Sequence, residues 1–404
     1  MLYKKKIFKT DLFIGKDMKI GINLLSIRPG KIGGGESFIR NLLDGFLNIN
    51  DLQVEYFLLV PRNHIKFWCK YNNKSKFHIV SCALNNNNAI TRIFYETIFL
   101  NRILKKNNIT LLFNPVYLKS IIGKPIVPCI SVIHDLQALH YPGYFNKIKL
   151  IWLKYIWKHT IKISTKIVTT SNFVKNDILE NFNIGESKIK VIYIPVIFKE
   201  RYENFNKIAQ KYKLKKQDYY YTVSSMTPHK NLITLLKVIK KLKEKKLHFP
   251  QRLVVSGVGC GSRYNKELLK IAEDFKISEN IIITGFISDI ERNTLYKNAA
   301  VFLFPSIFEG FGMPPIEALI KGVPVVTTKK TSIPEVTKNK AIYVDDPFNV
   351  DEWISKIKYA INSNRRAIIF NDYDIKKIAN EYLNLFNNIY KGKKIGDKED
   401  RYIV

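Results

Sequence analysis

The residues of this chain best suited to chemistry crowd into one run, Pro305-Ser-Ile-Phe-Glu309-Gly310-Phe311-Gly312-Met-Pro314-Pro315-Ile-Glu317-Ala-Leu-Ile-Lys-Gly322. Two carboxylates stand eight residues apart across a Gly-Phe-Gly turn. Each can accept two hydrogen bonds from a vicinal diol, so the pair suits a charged, polyhydroxylated ligand gripped at two points. Glycines let the backbone take φ > 0 and approach a ligand with no β-carbon in the way. Pro314 and Pro315 fit the first turn of a helix, and Gly322 stops it. The free N–H groups of such a helix start form a cradle for an anion such as a diphosphate.

Other polar groups follow apolar runs that read as buried strands. His134-Asp135 comes after Cys129–Ile133, where the imidazole can meet a hydroxyl or a developing charge. His229-Lys230-Asn231 follows Tyr219–Ser224 and precedes a helix, a place that disfavours a cation unless an anion sits between. Gly285-Phe-Ile287-Ser-Asp289 follows another strand; its backbone can take a base edge, with Asp289 capping the next helix. Gly33-Gly34-Gly35-Glu36 follows the first strand and opens a helix, but no Gly-Lys-Ser/Thr completes a P-loop. The single Asp-x-Asp, Asp372-Tyr-Asp374, reads as a helix cap, and with no carboxylate cluster the expectation is chemistry without a metal.

These groups need strands to position them. Lys19–Leu25, Gln53–Val60, Thr110–Phe113, Ile126–Ile133, Ile167–Thr170 and Lys190–Ile194 alternate with helical stretches, which means a parallel sheet covered on both faces. The pattern lapses over Ile197–Lys216, read as a linker. It restarts with Tyr219–Ser224, Arg252–Ser256, Ile281–Thr284, Val301–Phe304 and Val323–Thr327. The expectation is α/β: an extension over 1–17, doubly wound domains over 18–198 and 199–373, and a last helix and tail over 374–404. That helix, Asp374–Tyr390, is expected to cross back onto the first domain. Ligands of such sheets bind beyond the carboxyl ends of the strands, so two facing domains make a cleft.

The 404 residues fit two domains. Lys and Arg outnumber Asp and Glu by 66 to 34, a net charge of +32, which points to a phosphate-bearing neighbour. Scattered cysteines (Cys69, Cys82, Cys129, Cys260) without a Cys-x-x-Cys pair point to a reducing, cytoplasmic setting. No apolar run reaches membrane-spanning length. Lys147–Lys166 mixes Ile151, Trp152, Tyr155, Ile156 and Trp157 with Lys147, Lys149, Lys154, Lys158 and Lys162, a pattern shared by helices on anionic membranes and core helices with a snorkelling face. A basic protein holding nucleic acid, or a membrane-docked scaffold, is the alternative. No nucleic-acid motif is present, and that reading gives Glu309 and Glu317 no role.

Together these residues resemble the retaining glycosyltransferases of family 4, whose two Rossmann-like domains face a cleft (the GT-B fold). The resemblance runs from Met18 to Tyr390. It implies that Glu309 faces a donor sugar, Glu317 binds the ribose, and His134 contacts the sugar. It also implies that Gly34 and Gly35 lie near the donor phosphates and that Lys230 neutralises the diphosphate. His229, Ile287, Gly310, Phe311 and Gly312 complete the implied donor site. The family often carries Arg where His229 stands, and a His holds phosphate as a cation only when protonated. The implied reaction moves a hexose, with retention, from a nucleoside diphosphate sugar, and no resident cofactor is implied. Likeness to bacterial mannosyltransferases of polysaccharide and lipopolysaccharide assembly favours GDP-mannose. The acceptor would be a glycan or lipid-linked glycan, with the enzyme peripheral at the cytoplasmic membrane face and no specific nucleic acid.

Overall fold

A computed structural model describes residues 18–29, 34–49, 53–72, 76–85, 87–197, 201–246, 249–259 and 261–399, the last seven as backbone only. The expected extension over 1–17, Gly33, Cys260 and the junction at 198–200 lie outside the described residues.

The first domain runs β1 (Met18–Asn23), α1 (Gly34–Leu47), β2 (Val54–Pro61), α2 (Ile65–Trp68), β3 (Phe77–Cys82), α3 (Ala89–Lys106) and β4 (Leu111–Asn114). It continues with β5 (Cys129–Ile133), α4 (Gln137–His140), α5 (Lys147–Ile163), β6 (Lys166–Thr169), α6 (Asn172–Asn181) and β7 (Ile189–Val191). Its seven strands are all parallel, in the order β3-β2-β1-β4-β5-β6-β7. Central strands such as β4 (Leu111, Leu112, Phe113) are buried on both faces, which is why they read as unbroken apolar runs.

The second domain runs α7 (Phe205–Tyr212), β8 (Tyr220–Val223), α8 (Leu232–Glu244), β9 (Leu253–Ser256), α9 (Arg263–Asp274), β10 (Ile281–Gly285) and α10 (Asp289–Asn298). Then come β11 (Val301–Phe304), α11 (Met313–Ile320), β12 (Val325–Thr328), α12 (Ile333–Val336), β13 (Ile342–Val344) and α13 (Val350–Ile361). Six parallel strands stand in the order β10-β9-β8-β11-β12-β13. The chain is thus two Rossmann-like α/β units.

Three elements differ from the sequence expectation. β3 is an edge strand with four of its six residues exposed or partly so, and β13 has three residues; neither shows a long apolar run. α7 lies inside the supposed linker, capped by Asn204 and joined to α10 through Lys211, Tyr212 and Glu291.

The last helix, α14 (Ile375–Glu399), begins on a cap in which Asp374 accepts from the N–H groups of Lys376 and Lys377. Its buried stripe Ile378, Ala379, Tyr382, Phe386 follows helical spacing and packs on the first domain, with Phe386 against Phe46 and Phe113. A β-carbon at Gly45 of α1 would lie 2.6 Å from the Ile375 carbonyl oxygen, so the two helices cross where α1 has no side chain.

Candidate functional site

The facing strand ends meet in a seam formed by the Phe308–Gly312 loop of the second domain. Phe308 enters between His140, Tyr141 and Phe173 of the first domain, ring centroids 5.1–5.8 Å away. Beyond it, the Gly310 carbonyl accepts from Thr170 Oγ1 (3.1 Å) and Ser171 Oγ (2.7 Å). A β-carbon on Gly310 would stand 1.8 Å from the His134 carbonyl oxygen. Gly310 is therefore needed for close approach across the seam. Of the two glycines expected to take a positive φ, Gly312 does so, at +89°, where it caps α11, and Gly310 does not. The Phe311 ring is buried between Tyr193 and Tyr373, so only its backbone borders the loop.

Glu309 sits at the head of this loop. Its N–H is held by Thr331 Oγ1 and its carbonyl by Ser332 Oγ. Its carboxylate takes an ion pair from Lys230, Nζ to Oε1 2.5 Å, both side chains largely sheltered from water. Lys230 ends a short turn, Pro228–Lys230, that Asn231 closes in the left-handed conformation before α8. Residues 79 positions apart are thus brought together, and a ligand anion reaching Lys230 must share it with Glu309.

His229 is tied to the same loop by its carbonyl, which accepts from Ile307 N–H (2.8 Å) and Ser306 Oγ (3.3 Å). Burial, and then the neighbouring Lys230 charge, bring its imidazole down to about 4. It is neutral at physiological pH, so the phosphate-binding cation considered for this position is absent.

His134 donates from Nε2 to the Pro115 carbonyl at 2.8 Å and stacks edge-on against Phe38. Burial depresses its protonation as well, leaving a neutral ring with Nδ1 as acceptor. Its neighbour Asp135 accepts from Gln137 N–H, and burial raises its carboxyl, with Glu309 adding to the effect.

Glu317 lies on α11, apart from the Glu309–Lys230 pair. Its partner is Arg292 of α10, Nε to Oε2 3.7 Å, whose protonated form it strengthens. Pro314 and Pro315 occupy the first turn of α11 and carry no N–H, so two of the four donors a helix start offers are missing. The anion cradle expected there is half as rich. Gly34 and Gly35 belong to the first turn of α1. A β-carbon on Gly34 would meet Met313 Cε at 3.8 Å, so the starts of α1 and α11 face each other. Ile287 lies in the β10–α10 loop, partly buried against the core. Ser288, not Asp289, caps α10, accepting from Glu291 N–H. Asp372 is held by Lys338 and Lys377.

Sequence reasoning missed Arg292, Asp135 and the hydroxyls of Thr170, Ser171, Thr331 and Ser332. Only the adjacency of Asp135 to His134 was visible, because the others become neighbours through sheet order.

Residues 32–198 match the family described as Glycosyltransferase Family 4, and residues 204–377 match Glycosyl transferases group 1. The first domain belongs to glycosyltransferase family 4 and the second to glycosyl transferases group 1. The chain is 29% identical to the O-antigen chain mannosyltransferase RfbU of Salmonella typhimurium over 60% of its own length and 63% of that relative. The chain thus spans about three-fifths of that relative. It is 23% identical to the UDP-Gal:alpha-D-GlcNAc-diphosphoundecaprenol alpha-1,3-galactosyltransferase of Escherichia coli, covering 77% of this chain and 84% of that one. Among solved structures, Anabaena HepE in complex with UDP and glucose superposes with a TM-score of 0.69, covering 91% of this chain and 99% of that one at 16% identity, a likeness of fold.

Proposed function

We propose that this protein transfers a hexose, with mannose favoured, from a nucleoside diphosphate sugar to a lipid-linked glycan during cell-surface polysaccharide assembly. The observation that carries the reading is the Lys230–Glu309 pair, set at the seam beside His134 and Asp135. In this reading Lys230 and the loop amides stabilise charge developing on the leaving diphosphate, so no metal is required for that role. Glu309, fixed by Lys230 and by Thr331 and Ser332 on its backbone, faces the sugar. Neutral His134 accepts a sugar hydroxyl at Nδ1. Glu317, oriented by Arg292, takes the ribose diol. No residue of the set is assigned as a covalent nucleophile, and retention follows from attack on the face the diphosphate leaves.

The mannose donor draws on the relatives named as O-antigen mannosyltransferases, and the acceptor class on the relative whose name specifies a diphosphoundecaprenol-linked sugar. The place of work is the cytoplasmic membrane face. Among the described residues no helix is long and apolar enough to cross a membrane. α5 divides its two faces: Leu153, Ile156, Trp157 and Ile161 are buried, while Ile148, Ile151 and Tyr155 are exposed among lysines. Across the Tyr155 hydroxyl bond to the Ile121 carbonyl, this outer face continues into exposed Ile122 and Ile126.

The test is thermal stabilisation by GDP, UDP, ADP and CMP with EDTA present, wild type beside Lys230→Ala. A GDP shift lost in the variant supports the donor site and directs assays to GDP-mannose, with product anomeric configuration read by NMR. A UDP shift discards mannose. No shift with any nucleotide overturns the reading.

A further inference from the structure

The first domain gathers more positive charge at the end of its sheet than its own carboxylates balance. Arg28 lies in the loop after β1, Arg92 in the first turn of α3, and Lys119 in the loop after β4. Arg28 and Lys119 stand beyond the carboxyl ends of β1 and β4, neighbours at the middle of the sheet, and Arg92 joins them from α3, which follows edge strand β3. Arg28 and Arg92 both press on Lys119 electrostatically, and Arg28 presses on Arg92, so the three charges share one space. Arg92 is 7% exposed.

The carboxylate among them is Glu96, one helical turn beyond Arg92 and 2% exposed. It accepts the Lys119 backbone N–H at 3.1 Å, and burial favours its neutral form. Among the described residues, neither Arg28 nor Lys119 has a carboxylate at ion-pair distance. The Lys119 ammonium has the Tyr117 ring, 5.8 Å to its centroid, and Arg28 donates from Nη2 to the Asn87 carbonyl while its buried Nε has no partner. Cations withdrawn from water cost free energy unless an anion meets them. Arg28 and Lys119 thus bring positive charge that no carboxylate of the described residues meets at ion-pair distance.

The floor beneath is a polar chain. Asn23 bonds to Glu96 and donates to Asn114 Oδ1 (3.0 Å), and Asn114 donates to Ser131 Oγ (3.1 Å). On the other side Tyr117 feels both Arg92 and Asp135, which links the cluster to the seam. α3 also presents Ile90, Phe94 and Ile98 to solvent. They lie on a stripe about 200° round the helix from Arg92 and Glu96. One helix thus carries Arg92 on its buried face and apolar side chains on its outer face.

We propose that Arg28, Arg92 and Lys119 form a second anion site, on the acceptor side, that holds the diphosphate of a lipid-linked acceptor while the outer face of α3 meets the lipid. This rests on the acceptor class proposed above and assigns residues to it. The donor diphosphate belongs to Lys230 in the other domain, so the two anions are read by different cations.

The test is calorimetric titration of the full chain carrying Lys230→Ala, which disables the donor site, with inorganic pyrophosphate and then geranyl diphosphate at low salt. One site is expected to persist for pyrophosphate and to weaken at least tenfold with Arg28→Ala or Lys119→Met, while Lys119→Arg retains it. Geranyl diphosphate should bind several-fold more tightly. Arg28 is partly exposed, so its variant is expected to fold should Lys119→Met not. Loss of pyrophosphate binding in Lys230→Ala alone, or binding indifferent to Arg28 and Lys119, overturns the site. Geranyl diphosphate binding no tighter than pyrophosphate overturns the lipid assignment. The nucleotide shift of proteins retaining Lys230 reads the donor site separately and should be unchanged in Arg28→Ala and Lys119→Met.

Discussion

Glu335 of the second domain caps the helix that begins at Asn172 of the first. Its Oε1 accepts Asn172 N–H at 2.8 Å, its Oε2 accepts Phe173 N–H at 3.1 Å, and Tyr193 and the Asn172 amide complete the grip. A carboxylate on two free N–H groups at the positive end of a helix is a charge-assisted cap, and here it spans the domain seam. Glu335→Ala should cost roughly 1–2 kcal/mol and lower Tm by a few degrees. Small-angle scattering should show a larger radius of gyration. An unchanged radius would mean that Phe308 and Gly310 hold the seam without it.

Gly310→Ala addresses the closest approach in the seam. A β-carbon 1.8 Å from the His134 carbonyl oxygen cannot be housed without separating the loop from the strand end. Transfer should fall at least a hundredfold as the two halves of the site part, by roughly 3 kcal/mol of barrier. Nucleotide-induced thermal stabilisation should survive, because the donor-side residues share one domain. Wild-type transfer in the variant would mean that chemistry does not use this seam.

His229 sets an acid limit on stability. Its folded value, near 4, lies below the ordinary histidine value, so between about 4 and 6.5 the unfolded chain binds more protons. Stability from this group is present above pH 6.5 and is lost as pH falls through that window. His229→Gln should therefore lose less Tm between pH 7 and pH 4.5 than wild type. Equal losses would show that the imidazole is not held neutral.

Lys119 carries the opposite signature of an ordinary surface lysine. Burial, then Arg92, bring its ammonium down to about 8, with Glu96 opposing and Arg28 adding to the repulsion. Holding it charged therefore costs stability below pH 8, and wild-type stability should recover as pH rises from 8 towards 10.5. Lys119→Met should melt a few degrees higher at pH 7 and lack that recovery, while losing pyrophosphate affinity. A lower melting point would mean that Lys119 supports the fold and is not held in tension by it.

Much of the architecture was legible because parallel strands buried on both faces leave unmistakable apolar runs, as in Val301–Phe304 and Cys129–Ile133. β13 was not, since three residues cannot show a period, and neither was edge strand β3, whose exposed face dilutes the pattern. At the site, the spacing of Glu309 and Glu317 was visible as local sequence. Their cations were less so: Lys230 drew notice from its helix start, whereas Arg292 sits in a charged helix like many others. The reason for Gly310 was misread because positive φ is a local property, while an approach to His134 exists only once two domains meet. Arg28, Arg92 and Lys119 come from three separate connections, and only sheet order makes them neighbours.

The closing helix has a consequence for biosynthesis. Tyr382 and Phe386 complete an aromatic cluster with Phe38, Phe46 and Phe113, so the first domain made is finished by a helix that follows the whole second domain in the chain. On the ribosome that apolar groove stays uncovered while the whole second domain is synthesised, and it closes only once α14 has emerged. A nascent chain stalled before residue 375 should therefore present a folded second domain beside a first domain still open to chaperones.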